Sequence, residues 1–173
     1  MKESESRPVI PPDAFGYEWI ESSDHPGNYF YRNPSPAPLP NIPRIAESGL
    51  FTYEAKSAYH YQDALMVIAG ERRVAPIFFR TNCILRSDKD NPLDRNAIEI
   101  LIAGRRVGYI AQGDNQRLAS ELRAAGVDGD VQCRAEIRGA AVGPIAKPGG
   151  FRLNLDLSFP IETLPATPSP LRD

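Results

Sequence analysis

Apolar and polar residues alternate most regularly near the end of the chain, from Phe151 to Phe159. Every second residue of this segment is Phe or Leu, and the residues between them are Arg, Asn, Asp and Ser. Because successive side chains of a strand point to opposite faces of a sheet, the segment predicts a strand with one buried face. Shorter runs rich in β-branched and aromatic residues predict further strands, of which 74–80 and 83–86 can also form one long, bent strand. The runs are 50–56, 58–61, 74–80, 83–86, 98–102, 106–110 and 131–138.

Two segments carry the end signals of helices. Residues 63–69 are followed by Gly70, which suits the left-handed position just after a helix. Asp114 or Asn115 can cap a second helix that ends at Gly126. A chain with many short strands and only two short helices is predicted to be mainly β. We expect the strands to form a closed or nearly closed barrel of about six strands.

Proline divides the chain into three parts. Nine of the 17 prolines lie in residues 1–50 and four more in 160–173. Proline lacks a backbone N–H and has a fixed φ, so these flanks are not predicted to be regular helix or central strand. The run 34–40 has proline at every second position and is expected to be an extended strap or linker. The predicted organisation is therefore a Pro-rich N-terminal extension (1–50), a barrel domain (51–161) and a C-terminal tail (162–173).

The N-terminal extension also contains an aromatic-rich pair of β-prone runs, 17–20 and 28–32. A turn-rich segment, 22–27, separates them. This pattern predicts a hairpin that packs on the main domain. The alternative is that residues 15–43 form a docking surface for a protein partner.

Composition places the chain among globular proteins. Hydrophobic residues make up 42% and charged residues 24%, and no apolar stretch approaches the roughly 18 residues that a membrane-spanning helix needs. The first residues, MKESESRPVIPP, lack the basic and apolar segments of a secretory signal, which favours a cytoplasmic protein. Residues 55–160 contain 15 basic and 12 acidic residues, whereas the flanks are acidic. A mildly basic core between acidic flanks is compatible with a modest phosphate-binding surface.

Few residues of the chain suit metal or catalytic chemistry. Cys83 and Cys133 are isolated from each other and from any CxxC pattern, and His25 and His60 are the only histidines, so no metal site is expected. No GxGxxG, GxxxxGK[ST] or GxSxG motif occurs.

Three acids, Asp88, Asp90 and Asp94, occur in one turn and could bind a divalent ion. Such a cluster is more typical of a solvated loop. We therefore expect a binding module without catalytic activity or cofactor.

Two motifs resemble the HIRAN family. The first is Asp-Asn-Pro-Leu-Asp-Arg-Asn-Ala-Ile-Glu-Ile at 90–100, and the second is Gly-Arg-Arg-Val-Gly-Tyr-Ile at 104–110. The upstream sequence Tyr-His-Tyr-Gln-Asp-Ala-Leu at 59–65 is similar to the family's first strand and helix, and the resemblance covers residues 52–160. It implies an OB-like barrel with two helices. In the best-understood member, a Swi/Snf-type fork-remodelling ATPase, this domain captures the 3′-hydroxyl end of single-stranded DNA; other members stand alone in bacteria or phages.

The resemblance implies roles for particular residues. Asp94 matches the aspartate that accepts the hydrogen of the 3′-hydroxyl, although it can equally stabilise its own loop. Tyr59, His60 and Tyr61 match an aromatic and basic cluster that stacks on the terminal base. In a strand, Tyr59 and Tyr61 point one way and His60 the other, so all three cannot serve one pocket. Tyr109 matches a contact to the backbone phosphate.

Other positions of the expected DNA site are less specific. Phe151 matches an aromatic that contacts the second base, although its alternation with the following leucines favours a core position. Leu93 stands where the family often has an aromatic residue, and a leucine can cover a base but cannot stack on it, a loss of about 1 kcal/mol or more. The candidate phosphate donors are Arg72, Arg73, Arg105, Arg106 and Lys147.

These features favour a module that binds single-stranded DNA or DNA ends in DNA repair, replication-fork processing or phage DNA metabolism. A helicase or nuclease is the expected protein partner. The alternative function is protein–protein interaction through residues 15–43.

Overall fold

The computed structural model describes residues 15–71, 73, 75–140 and 150–170. Within these residues the chain has ten strands in one sheet, which confirms the prediction of a mainly β protein with two helices. The strands are β1 (Glu18–Glu21), β2 (Tyr29–Arg32), β3 (Arg44–Ile45), β4 (Tyr53–Glu54), β5 (Ile77–Ser87), β6 (Ile98–Ile102), β7 (Arg105–Tyr109), β8 (Val131–Gly139), β9 (Arg152–Leu155) and β10 (Thr163–Leu164). The helices are α1 (Gln62–Ala69) and α2 (Asn115–Ala124), each preceded by a 3-10 turn. Neither helix is long and apolar enough to span a membrane.

The two longest strands, β5 and β8, form the centre of the sheet. They pair antiparallel along their length, from Ile77 opposite Gly139 to Leu85 opposite Val131. The hairpin of β6 and β7 pairs with the last residues of β5, and β9 and then β4 follow on the other side of β8. Residues 77–87 are thus one continuous strand, the second of the two possibilities that the sequence left open for 74–86.

The strand ladders do not close this sheet into a barrel. Among the described residues, β7 pairs only with β6, and β4 only with β9. A single isolated bridge joins these two strands: Lys56, just after β4, donates to the carbonyl of Tyr109 at 2.8 Å and accepts from the Tyr109 N–H at 2.9 Å. Six strands therefore follow one another in the order β4, β9, β8, β5, β6, β7, and the first and last meet at one residue pair.

Residues of the predicted N-terminal extension share this sheet. β1 and β2 form the predicted hairpin, and β2 continues the sheet parallel to the start of β5, with Tyr31 opposite Ile77. β3 pairs parallel to β8 and antiparallel to β10 of the C-terminal tail. Between β2 and β3, residues 34–43, which we call the Pro-rich strap, belong to no strand or helix and include a turn at 40–41.

Both helices bury one narrow face. Leu65 and Ala69 of α1 and Leu118 of α2 are fully buried, and Leu122 is nearly so. Each helix thus presents two apolar residues four positions apart, the spacing of one helical face. Gly70 ends α1, as predicted, and its N–H donates to the carbonyl of Met66 at 2.8 Å. Its φ of 84° is positive, but its ψ of 176° is not that of the predicted left-handed conformation.

Two local predictions were wrong. Residues 58–61, predicted as strand, form a 3-10 turn, because Ser57 adopts φ of 63° and its carbonyl accepts from the N–H of His60 at 3.0 Å. Asp114 precedes α2 but does not cap it with its side chain. Its carboxylate instead accepts a hydrogen bond from the Tyr53 hydroxyl at 2.8 Å.

The predicted alternation of the last strand is present, but both of its faces are buried. Phe151, Leu153 and Leu155 lie in the core, whereas Asn154 and Asp156, expected to face solvent, are also buried. The two carboxylate oxygens of Asp156 accept from the hydroxyl and backbone N–H of Ser48 and from the N–H of the next residue at 2.6–2.9 Å. Chain preceding β4 therefore covers the second face of this strand.

Candidate nucleic-acid interface

The β5–β6 loop (88–97) carries the first of the two family motifs, and Asn91 organises it. The Asn91 Oδ1 accepts from the backbone N–H groups of Leu93 at 2.9 Å and of Asp94 at 3.2 Å. This is the side-chain turn typical of Asn before Pro, and it holds the tip of the loop in one conformation. Leu93 at the tip is 93% exposed. The side chain of Leu93, at a position where the HIRAN family often has an aromatic residue, is thus accessible to a ligand.

Asp94 connects this loop to helix α2. One carboxylate oxygen accepts from the backbone N–H of Asn96 at 2.8 Å, and the other accepts from Nδ2 of Asn115 at 2.9 Å. Asn115 begins α2 and is 2% exposed. Its own Oδ1 is buried and has no hydrogen-bond partner within the described part of the chain. Asp94 is therefore a structural residue of the loop, and a 3′-hydroxyl would be an additional donor to an already bonded carboxylate.

We expect Asp94→Ala and Asp94→Asn to have different effects on stability. Alanine removes both acceptors, and we expect a loss of about 1–2 kcal/mol in the free energy of unfolding. Asparagine keeps one acceptor for Asn96, and its amide can donate to the free Oδ1 of Asn115 once that side chain rotates. We expect its cost to be below about 0.5 kcal/mol. Urea unfolding checks both values, and equal losses would contradict the role of Asn115.

Tyr109, Asp88 and Arg106 form a second group beside this loop. The Tyr109 hydroxyl donates to Asp88 Oδ2 at 2.9 Å, and Arg106 lies 5.4 Å from the centre of the Tyr109 ring. Burial and the hydrogen bond to Asp88 raise the pKa of Tyr109 to about 12. The phenol is therefore neutral at physiological pH and already uses its proton within the protein.

Arg106 is the cation of this group, but acidic side chains largely neutralise it. Its Nε donates to Glu99 Oε2 at 2.7 Å, and a terminal nitrogen lies 3.5 Å from Asp88. Glu99 is on β6, opposite Tyr109 in the hairpin register. A phosphate group would have to compete with two carboxylates for this guanidinium.

The 3-10 turn at Ala58–Tyr61 brings the aromatic cluster to the same surface. Tyr61 lies near Arg106 and Tyr109, because the 3-10 turn packs against β7. Tyr59 is 73% exposed, and its ring centre lies 3.9 Å from that of His60. In a 3-10 turn, side chains follow at about 120° intervals, so the strand-based pairing of Tyr59 with Tyr61 does not apply.

The remaining candidate residues are dispersed. Phe151 is 7% exposed, and it packs near Ile77 and Gly139 in the core. Arg73 lies over the rings of Tyr17 and Tyr31 at 4.8 and 5.0 Å. Arg105 is exposed at the start of β7. Arg72 and Lys147 lie outside the described residues.

Asn115 and Glu99 were not predicted to belong to the site. Glu99 interrupts the apolar run 98–102, and an acid within an apolar strand was a usable signal, although Glu99 lies opposite Tyr109 and not opposite Arg106. Asn115 gave no such signal, because an Asn at the start of a helix is ordinary. Within the described residues, no cluster of His, Cys, Asp or Glu side chains is suited to hold a metal ion.

Comparison with models of protein families, with curated proteins and with solved structures gives no match for this chain.

Proposed function

We propose that the chain is a HIRAN-type binding module that holds the 3′ end of single-stranded DNA and catalyses no reaction. Its binding surface would consist of the tip of the β5–β6 loop, the 3-10 turn at Ala58–Tyr61 and the end of β7. The finer fold implied by the family, an OB-like barrel, would correspond to the six strands from β4 to β7. The bridge between Lys56 and Tyr109 supports that closure.

The supporting observation is that residues of three separate motifs belong to one connected group. Tyr61 of the 3-10 turn lies near Arg106 and Tyr109 of β7. The Tyr109 hydroxyl donates to Asp88, and the side-chain amide of Asn91, in the loop that contains Leu93 and Asp94, donates to the same carboxylate. The β6–β7 hairpin brings the β5–β6 loop beside the end of β7. Tyr61, however, is 48 residues before Tyr109, and no local constraint requires the 3-10 turn to meet them. A shared surface is what a common ligand would need.

The exposed groups of this surface suit a splayed-out terminal nucleotide. Tyr59 offers an aromatic face for a base, and Leu93 offers an apolar cover. Arg105 is exposed, but as the neighbour of Arg106 on β7 it points to the opposite face and lines the cleft beside the Pro-rich strap. Because Arg106 is neutralised and Leu93 cannot stack, we expect weak binding that falls steeply with salt.

The test is fluorescence anisotropy at low salt with three labelled DNAs. They are a short single strand with a free 3′-hydroxyl, the same strand with a 3′-phosphate, and a blunt duplex. We expect the free 3′ end to bind at least about fivefold more tightly than the other two. Leu93→Asp should weaken this binding about tenfold, since it places a negative charge beside the phosphates.

Leu50→Asp is the matched control, because Leu50 is also an exposed leucine, at 69%, outside the group. It should change the affinity less than twofold. Asp94→Asn, which keeps the loop, should reduce the preference for the free hydroxyl over the phosphate. Equal binding of all three DNAs, or no binding at tens of micromolar, would refute the proposed function.

A cytoplasmic location and a helicase or nuclease partner belong to this proposal.

A protein-docking function is the second candidate. One observation favours it: the Pro-rich strap borders an apolar cleft of about 670 Å³, lined by side chains that include Leu39, Val67, Phe79 and Leu101. Deleting residues 1–50 would not separate the two functions, because β1, β2 and β3 of the common sheet would be lost with it.

A further inference from the structure

A second cleft, of about 590 Å³, lies between the β5–β6 loop and helix α2. Its floor is apolar and consists of Leu85, Ile98, Leu122 and Val127. The volume is within the range of about 300–1,000 Å³ that small-molecule sites occupy. The cleft is not part of the surface proposed to hold the DNA end: Asp88 faces Tyr109, whereas Ser87 and Lys89 on either side of it line the cleft.

The walls of the cleft are held by specific contacts. At one end, Asp94 of the β5–β6 loop is bonded to Asn115 at the start of α2. At the other end, Arg86 makes two hydrogen bonds to Asp130, at 3.0 and 2.8 Å, which fix the segment after α2 to the end of β5. These contacts clamp the two ends, so the space between them is a formed cleft.

The end of α2 shapes the floor. The N–H of Val127 donates to the carbonyl of Leu122 at 2.9 Å, and the N–H of Gly126 donates to the carbonyl of Arg123 at 3.0 Å. This is the Schellman arrangement, and Gly126 has the positive φ of 77° that it requires. It brings Val127 back beside Leu122, and both belong to the apolar floor.

The rim of the cleft is cationic. Lys89 and Arg95 approach from the loop and Arg123 from the helix, whereas Asp128 is the only acid among the described lining residues. Lining residues 116, 119 and 123 recur at the spacing of one helical face. Ala119 stands between Gln116 and Arg123, and its small side chain leaves the space open.

We infer that this cleft binds a nucleotide, with its phosphate at the cationic rim and its base on the apolar floor. The cations supply charge-assisted donors to a phosphate. The amide side chains of Asn96 and Gln116 each offer a donor and an acceptor for the edge of a base. The volume admits one nucleotide and excludes a duplex. The nucleotide is either free or one unit of a single strand, and the chemistry that recognises it is the same.

The experiment titrates the full chain with deoxyadenosine 5′-monophosphate while the backbone amide resonances are followed by NMR. Deoxyadenosine and inorganic phosphate are titrated separately. We expect the nucleotide to shift the amides of α2 and of residues 127–129. Each half alone should bind at least about tenfold more weakly, because each uses only part of the cleft. The absence of these shifts up to about 5 mM nucleotide overturns the inference.

Two substitutions separate the cleft from general surface charge. Ala119→Leu fills the space without changing any charge and should abolish binding, whereas Ala124→Leu on the exposed side of the same helix should have no effect. Arg123→Gln should weaken binding about fivefold, and Arg117→Gln, which removes the same charge outside the cleft, less than twofold. If Ala119→Leu binds the nucleotide as well as the unchanged chain does, the cleft is not the site.

Two further experiments test whether the nucleotide is free or part of a strand, and whether the two sites are independent. An oligodeoxyadenylate with both ends blocked shifts the same amides if the cleft accepts a unit of a strand, and leaves them unchanged if it accepts only the free nucleotide. Leu93→Asp should leave nucleotide binding intact, and Ala119→Leu should leave the preference for a free 3′ end intact. Failure of one site is therefore distinguishable from failure of the other.

Discussion

Replacing Gln132 with leucine is expected to lower the free energy of unfolding by about 3 kcal/mol, because three backbone groups of the Pro-rich strap lose their partner at once. Gln132 lies on β8 and is 2% exposed. Its Oε1 accepts from the N–H of Leu39 at 2.7 Å, and its Nε2 donates to the carbonyls of Leu39 at 2.7 Å and Ile42 at 2.8 Å. Leucine has a similar volume but satisfies none of these groups.

Urea unfolding measures this loss, and limited proteolysis shows whether the strap has detached. Asn82→Ala is the matched control, since Asn82 also donates from a side-chain amide to the strap, to the carbonyl of Ala37 at 2.6 Å, but at an exposed position. Water can replace that bond, so we expect a loss below about 1 kcal/mol. A loss in Gln132→Leu no larger than that of the control would mean that the strap contributes little to the fold.

For the Pro-rich strap, the sequence predicted the absence of regular helix and central strand but not the contact that holds the strap to the sheet. Alternating proline predicted that this segment would not be regular helix or central strand, because proline restricts φ and lacks a backbone N–H, and residues 34–43 belong to neither. The side chain that holds the strap, Gln132, could not be predicted. Gln132 lies about ninety residues downstream, in a strand where one polar residue between valine and cysteine suggests a solvent-facing position.

The positions of several strands were likewise predicted from local sequence, whereas the burial of their side chains was not. The sequence pattern correctly predicted strands at 98–102, 106–110 and 131–138, which are present as β6, β7 and β8 with ends that differ by at most one residue. It could not predict that the polar face would also be covered. Glu136 of β8 is 3% exposed and is paired with Arg80 and Arg138 at 2.9 and 2.8 Å. Burial of a second face depends on chain from distant segments.

The sequence predicted which loop carries the candidate site, but it did not predict that the charge of Arg106 would be neutralised. The β5–β6 loop contains the predicted residues Leu93 and Asp94. The surface beside it contains Tyr61 of the 3-10 turn and Tyr109 of β7. The neutralisation of Arg106 depends on the register of β6 and β7, which is shifted between Ile100 and Leu101. A shift of one residue changes which side chains meet across a hairpin, and no local pattern in this sequence reveals it.

Gly108→Val is expected to lower the free energy of unfolding by about 3 kcal/mol, by overpacking the place where β7 meets the chain after β4. A Cβ at this position would lie 2.9 Å from the carbonyl oxygen of Lys56, closer than such contacts allow. It would also lie 3.6 Å from Ala55 and from Leu153, so the valine methyl groups have no free space. The glycine of the Val-Gly-Tyr motif is therefore explained by the close approach of two backbones.

The sign of this effect is informative, because valine normally favours a strand over glycine by up to about 1 kcal/mol. A loss must therefore come from the bridge between Lys56 and Tyr109 and not from strand propensity. Gly108→Ala should show about half the loss, and Gly113→Ala, where a Cβ meets nothing within 4 Å, should change stability by less than about 1 kcal/mol. Urea unfolding of the three variants gives the comparison. If Gly108→Val is as stable as the unchanged chain, the two backbones separate without cost, and the six strands from β4 to β7 do not depend on that bridge.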